Sequence, residues 1–322
     1  MSSLVQVASL PFPPQLPDHQ AAHDALLYLV RQDPHLYDQH TTRWTLATIR
    51  IACSKVGWLR LASLSLPGVW QLLHRLGIVW KHARQYIHSP DPYYFEKLSD
   101  VKAARQQARA NPEDVVLLFM DQVTVWLQPT VAYAYEQRGH YQPLARLSPH
   151  SNSQTRVVGS LDSLTAQVVY LRGRVSTSQL VRFYQKVCAA YPQARRIYVV
   201  LDNWPVHVHP DVLVALEEQH SPWVELMKQR VPANWPKEPS MAARRKWGEL
   251  QLPIQLVPLP TYASWSNPIE KLWRKMRQEK LHMHWLAGDL SALRSCIDSF
   301  LDQFKEGSPE LLRYVGLAQP ST

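Results

Sequence analysis

Residues 18–110 carry apolar positions at three- and four-residue spacing, which predicts helices. AAHDALLYLVRQ forms one, with Asp18 as a cap and Asp33-Pro34 as its stop. A second runs from Thr41 to Val56 on Trp44, Leu46, Ile49 and Ile51, and a short piece follows near Trp58–Leu64. Pro67 opens PGVWQLLHRLG and Gly77 closes it, the expected asymmetry of helix ends. A longer helix from about Tyr93 to Ala110 stops at Asn111-Pro112. Beyond it the pattern changes. VVLLFMDQ (115–122) is a continuous apolar run, and VWLQPTVAYAYE, RVVGSLDS and AQVVYLRG follow as further strands. A helix at 178–191, a strand IYVVLDN, a strand IQLVPLP (254–260) and a helix from Asn267 complete a mixed α/β pattern. This divides the chain into a proline-rich, mobile N-terminus (1–17), a helical region with a linker helix (18–110) and an α/β region (111–322).

Charge sharpens the helical half. The 322 residues carry a formal net charge of +9, which favours polyanionic partners. Between Thr41 and Pro90 stand Arg43, Arg50, Lys55, Arg60, Arg75, Lys81 and Arg84, with no Asp or Glu. An ordinary solvated helix face would mix signs. Two helices around a short one fit a helix-turn-helix, with Pro67–Leu76 as its recognition helix and Arg75, Lys81 and Arg84 as DNA contacts. Three cysteines, Cys53, Cys188 and Cys296, lie far apart without a C-x-x-C pair, as expected of reduced thiols in a cytoplasmic protein. The N-terminal stretch lacks the pattern of a signal peptide, and no apolar run is long enough to span a membrane.

Two apolar runs end alike: VVLLFMDQ delivers Asp121 and RIYVVLDN delivers Asp202. A carboxylate at the rim of a sheet is rigidly held where ligands of α/β folds bind, and two on neighbouring strands can share a hard cation such as magnesium. Each Asp can equally just begin a turn, and the residues alone leave both readings open. Asn203 and His207 follow closely, although a lone histidine in such a place is more often structural. In SNPIEKLW, Asn267 can cap a helix with Pro268 at its first position and Glu270 at its third. That spells a capping box, so Glu270 either closes the cap or points at the two Asp.

FMDQ, VLDNWPVH and LPTYASWSNPIEKLW, in this order, resemble the transposases of the insertion-sequence 630 family, bacterial relatives of the mariner elements with a DDE superendonuclease domain. SNPIEKLW is the most specific match, and D-N-x-x-x-H comes next. TTRWTL, LHRLGIVWK, YEQRGHYQP and RVVGSLD add to it, so that the resemblance covers roughly Thr41 to Leu281. It implies a ribonuclease-H-like catalytic domain behind an all-α helix-turn-helix domain, with Asp121, Asp202 and Glu270 as both catalytic residues and metal ligands. It further implies two Mg2+ or Mn2+ ions, cutting of insertion-sequence ends, and joining to target DNA at TA. The partners it implies are double-stranded DNA (ends and target) and a second copy of the chain in a homodimer on DNA. Neither a nucleotide cofactor nor a membrane is expected, and the location would be a bacterial cytoplasm, on the nucleoid when DNA is bound.

The chain departs from the family at Gln122, where Glu is usual, and in spacing. Asp121 and Asp202 stand 81 residues apart, but Asp202 and Glu270 stand 68 apart, roughly twice the family's interval. The excess falls at 217–250, which interleaves Trp223, Trp235 and Trp247 with basic residues including Arg244 and Arg245. Such a segment clamps DNA or packs on itself as a surface insertion, and its prolines predict an arm of short helices. Only one helix-turn-helix is evident, where the family often has two. The rival function is a transposase-derived, sequence-specific DNA-binding protein with an unused active site; the three intact acids speak against it. Another ribonuclease-H-like nuclease is disfavoured by the helix-turn-helix and the NPIE block.

Overall fold

The computed structural model describes residues 19–81, 89–149 and 152–318. The N-terminal stretch 1–17 and the capping Asp18 lie outside it. The chain falls into two compact units that divide between Gln85 and Tyr86.

The first unit is helical. It contains α1 (His19–Arg31), α2 (Leu46–Lys55), α3 (Leu59–Ala62) and α4 (Leu66–Arg75). Thr45 caps α2 through a reciprocal box with Thr48, so this helix begins later than its apolar pattern suggests. Ser65 caps α4, Pro67 lies in its first turn, and Gly77 ends the turn at a φ of 72°. Leu26, Leu29, Trp44, Ile49, Ala52, Trp58, Val69 and Leu73 share one core. Ile51, expected among them, is 45% exposed, because it sits on the opposite side of α2 from Ile49 and Ala52.

The second unit is a five-stranded sheet between helical layers. Its strands are β1 (Val115–Trp126), β2 (Gln154–Asp162), β3 (Val168–Arg172), β4 (Arg196–Leu201) and β5 (Ile254–Pro258), in the order β3-β2-β1-β4-β5. β1–β2 and β2–β3 are antiparallel; β1–β4 and β4–β5 are parallel. Around it run α5 (Tyr94–Ala110), α6 (Thr177–Ala190), α7 (Pro210–Leu213), α8 (Pro222–Lys228), α9 (Met241–Trp247), α10 (Ile269–Met276), α11 (Leu290–Asp302) and α12 (Pro309–Val315). One sheet face presents Leu117, Phe119, Val157, Tyr198 and Val200 to α5, α10, α11 and α12. The other presents Leu118, Met120, Val158, Val199 and Leu256 to α6, α7, α8 and α9. Alternate residues of β1 thus enter opposite cores, which explains its unbroken apolar run.

Four expectations change. The run VWLQPTVAYAYE is not a second strand. β1 itself continues to Trp126, its last partner being Gln154, and the chain beyond is irregular apart from a bridge between Thr130 and His282. Pro129 has no N–H for a ladder, and beyond it Tyr133 and Tyr135 are fully exposed, so no face of the chain from 130 to 136 is buried. Asp121 therefore lies inside a strand rather than at its end. The helix expected to close the helical region, α5, instead packs on β1 and β5 through Ala104 and Ala108. The 217–250 segment does form short helices, α8 and α9, but they do not project. Val224, Met227, Ala243 and Trp247 complete the second core, and Leu216 bridges to Leu252 where the segment leaves and returns.

Candidate active site

Every β1–β4 pair is offset by 81 residues, from Val115 with Arg196 to Phe119 with Val200. Asp202 follows β4 directly, and the same offset (202 − 121 = 81) sets it level with Asp121. Asp121 shares its strand parity with Leu117, Phe119 and Val123, so it lies on the sheet face covered by α10, the helix that carries Glu270 in its first turn. The charges of Glu270 and Asp202 both act on Asp121. The structure thus brings three acids, far apart in sequence, to one end of one sheet.

A cleft of about 250 Å³ opens there, lined by Asp121, Gln122, Arg156, Asp202, Trp204 and His207 among others. Glu270 does not line it. Among the described residues no group of three or more His, Cys, Asp or Glu side chains forms a ready metal-binding cluster. The two aspartates have protein donors instead. Trp273 Nε1–H donates to Asp121 Oδ2 at 3.0 Å. The Trp204 N–H donates to Asp202 Oδ1 at 3.0 Å, and His207 Nε2 lies 3.2 Å from the same oxygen. Burial, then the charges of Glu270 and Asp202, push the Asp121 carboxyl up to about 7, against the hydrogen bonds from the Gln122 backbone and Trp273. Burial would also raise Asp202, but the hydrogen bond and charge of His207, with the Trp204 N–H, outweigh it and hold that carboxyl below its usual range. Neighbouring aspartates are therefore pulled in opposite directions. Two buried polar atoms on the wall, Gln122 Nε2 and His207 Nδ1, have no hydrogen-bond partner among the described residues.

Asn267 does not cap α10. Pro268 occupies that position without a side-chain cap, while the buried Asn267 Nδ2 donates to the Met120 carbonyl at 3.0 Å. The amide thus pins the entry of α10 to β1 one residue before Asp121. No capping box forms, so the cap no longer accounts for Glu270. Gly159, opposite Asp121 in β2, completes the fit: a Cβ there would meet Trp273 Cη2 at 2.8 Å. Only glycine lets the indole cross β2 and reach the carboxylate.

Asn203 is not in the cleft lining. Its Oδ1 accepts from Lys97 Nζ at 3.1 Å and its Nδ2 donates to the Leu259 carbonyl at 2.6 Å. Lys97 in turn pairs with Asp91 at 2.9 Å, with the two side chains 1% and 0% exposed. Arg244 pairs with Glu238 at 2.5 Å, and Arg245 is exposed beside it on α9, neither in the cleft lining. Arg75 and Lys81 are exposed at the end of α4 and just beyond it, whereas Arg84 lies outside the described residues. Sequence reasoning missed Arg156, Trp273, Gly159 and Lys97. Trp273 stands three residues after Glu270, a spacing that shares a helix face, and a glycine inside an apolar strand signals a close approach. Lys97 and Arg156 carried no such signal.

Comparison with known proteins bears on the fold and the family. The chain is 22% identical over 257 residues to the insertion element IS630 uncharacterized 39 kDa protein of Shigella sonnei, covering 80% of this chain. It spans 63% of the length of that relative. The Mos1 transposase paired-end complex with left transposon end superposes with a TM-score of 0.54 at 14% identity, over 94% of this chain and 76% of that one. The Mos1 mariner paired-end complex with Mn gives 0.53 at 14%, over the same shares. At such identities the likeness is one of fold, and it makes the sheet and its helices ribonuclease-H-like. The model of the DDE superfamily endonucleases matches residues 116–294, more than half of the chain and the span that contains all three acids. The chain therefore belongs to the DDE superfamily endonuclease family.

Proposed function

We propose that this chain is a DNA transposase of the insertion-sequence 630 and mariner type, cutting element ends and joining them to target DNA, at TA dinucleotides, with Asp121, Asp202 and Glu270 as its catalytic carboxylates. The observation that carries the reading is the level placement of Asp121 on β1 and Asp202 directly after the adjacent parallel β4, with the charge of Glu270 reaching Asp121, inside the span matched by the family model. The donor set suits a hard divalent cation: three carboxylates, one of them raised by burial and then by its like-charged neighbours. Asp121, Asp202 and Glu270 would hold Mg2+ or Mn2+, in two ions. Bound there, the metal supplies charge stabilisation to the attacking and leaving oxygens of an in-line phosphoryl displacement.

The chain's own residues account for the rest of the site. Trp273 and the Asn267–Met120 bond fix Asp121 and α10, while His207 and the Trp204 N–H orient Asp202 and keep it ionised. Arg156 gives the cleft a cation for a phosphodiester, and Gln122 Nε2 is a buried donor available to one of its oxygens. The exposed Arg75 and Lys81, in a unit with no acid between Thr41 and Lys81, support duplex binding by the helical unit. The test is strand cleavage of end-containing DNA with magnesium. Asp121→Asn, Asp202→Asn and Glu270→Gln should each abolish cutting and retain DNA binding. Wild-type cutting by Asp202→Asn would overturn the reading.

A further inference from the structure

A second cleft, of about 670 Å³, adjoins the first and is lined by Arg156, Arg172, Arg174 and Arg294. Arg156 lines both, so the two share a wall. The arginines come from three separate elements, and the fold brings them together. Arg156 is on β2, and Arg172 and Arg174 flank Gly173 in the turn after β3, while Arg294 is on α11. The Gly173 N–H donates to the Arg156 carbonyl at 2.9 Å, which fixes the turn against β2. Gly173 has a φ of 150°, and a Cβ there would meet the Gln179 amide at 2.8 Å. That amide holds the turn from its other side, donating to the Arg172 carbonyl at 3.1 Å. One acid answers this charge: Asp298 pairs with Arg172. Among the described residues, Arg156, Arg174 and Arg294 have no acidic partner.

Gathering four guanidiniums around one cleft is unfavourable unless a polyanion shares it, and guanidinium groups match phosphate oxygens in pairs. We propose that this cleft holds the phosphodiester backbone of duplex DNA on the β3 side of the acidic site, with Arg156 on the phosphate nearest the reacting bond. The identity of the polyanion rests on the transposase reading above.

The experiment measures binding of the full chain to a short duplex of arbitrary sequence, in EDTA, across about 50–200 mM salt. Each phosphate that the protein ceases to neutralise makes the slope of log K against log salt shallower by about 0.9. Arg174→Gln with Arg294→Gln should therefore flatten it by about 1–2, and Arg174→Lys with Arg294→Lys should restore it. An equal-charge control, Lys305→Gln with Arg313→Gln, alters exposed cations outside both clefts and should leave the slope unchanged. An unchanged slope in the glutamine pair, or an equal change in the control, would overturn the proposal. Binding in EDTA needs no cleavage, so the two readings fail separately. A chain that cuts DNA with its slope unaltered sinks the arginine track alone, and one that binds through the cleft but never cuts sinks only the transposase.

Discussion

Lys97 and Asp91 form an almost completely enclosed ion pair, and each has further partners. Asp91 Oδ2 also accepts from the N–H and hydroxyl of Thr261, and Lys97 reaches Asn203, the residue after Asp202. Removing one partner leaves an uncompensated charge in the interior, which costs about 3–5 kcal/mol. Lys97→Met should lower the urea midpoint accordingly, and adding Asp91→Leu should recover part of the loss; a Lys97→Met chain as stable as the parent would refute the burial argument. Asp121 is the opposite case, since its charge is itself unfavourable. Its carboxyl lies near 7 in the fold against an ordinary 3.8, so the folded chain binds the proton more tightly. Stability of the metal-free protein should fall as pH rises from about 4 to 7, by at most ~4 kcal/mol, and stay low above that. Asp121→Asn cannot ionise. In EDTA it should melt at a higher temperature than the parent at pH 8 and at the same temperature near pH 4. Identical melting curves at both pH values would show that Asp121 is not raised.

At the scale of elements, the strands carrying the aspartates were legible because both faces of each are buried and every position in the run had to be apolar. Helix α4 was legible from its Pro and Gly. What escaped was whatever depended on a partner distant in sequence. Nothing near Asn267 announces that its amide bonds to Met120 rather than to its own helix. The tyrosines after Trp126 read as strand because β propensity cannot tell whether a neighbouring strand exists. The meeting of β2 with α10 is the most sensitive joint. Gly159→Ala would drive a methyl into Trp273, displacing the indole from Asp121. Cleavage should drop at least tenfold with a melting temperature several degrees lower, the range expected for overpacking by about 1–3 kcal/mol. Trp273→Phe with Gly159→Ala should regain stability without regaining full activity. If Gly159→Ala alone cuts normally, the indole does not position the carboxylate.

At the scale of the molecule, the boundary drawn from periodicity at 110 differs from that drawn by packing. Helix α5 carries Lys97 into the interior of the second unit and Ala104 and Ala108 onto its sheet. A fragment from Tyr86 to the C-terminus should therefore give a cooperative thermal transition by circular dichroism, whereas one starting at Asn111 should not. Equal cooperativity of the two would show α5 to be dispensable. The long interval between Asp202 and Glu270 has a similar explanation. Its length looked like an appendage, yet α8 and α9 roof one face of the sheet, so apolar residues that suggested a partner outside the fold have one inside it.

The constant offset between β1 and β4 has a consequence for how such a gene can change. Losing one codon between Val115 and Asp121 would exchange the two faces of the strand upstream of the acid, or carry the acid itself to the wrong face. The same lesion that misplaces the carboxylate also carries Leu117 and Phe119 into the core shaped for Leu118 and Met120, so a misplaced acid comes with two misfitted cores. Length changes in the connection between α8 and α9, residues 232–239, meet no such check, because none of its residues is buried and it needs only to join the two helices. Lineages of this protein should therefore differ in length within that stretch and keep the spacing from Val115 to Asp121 equal to that from Arg196 to Asp202.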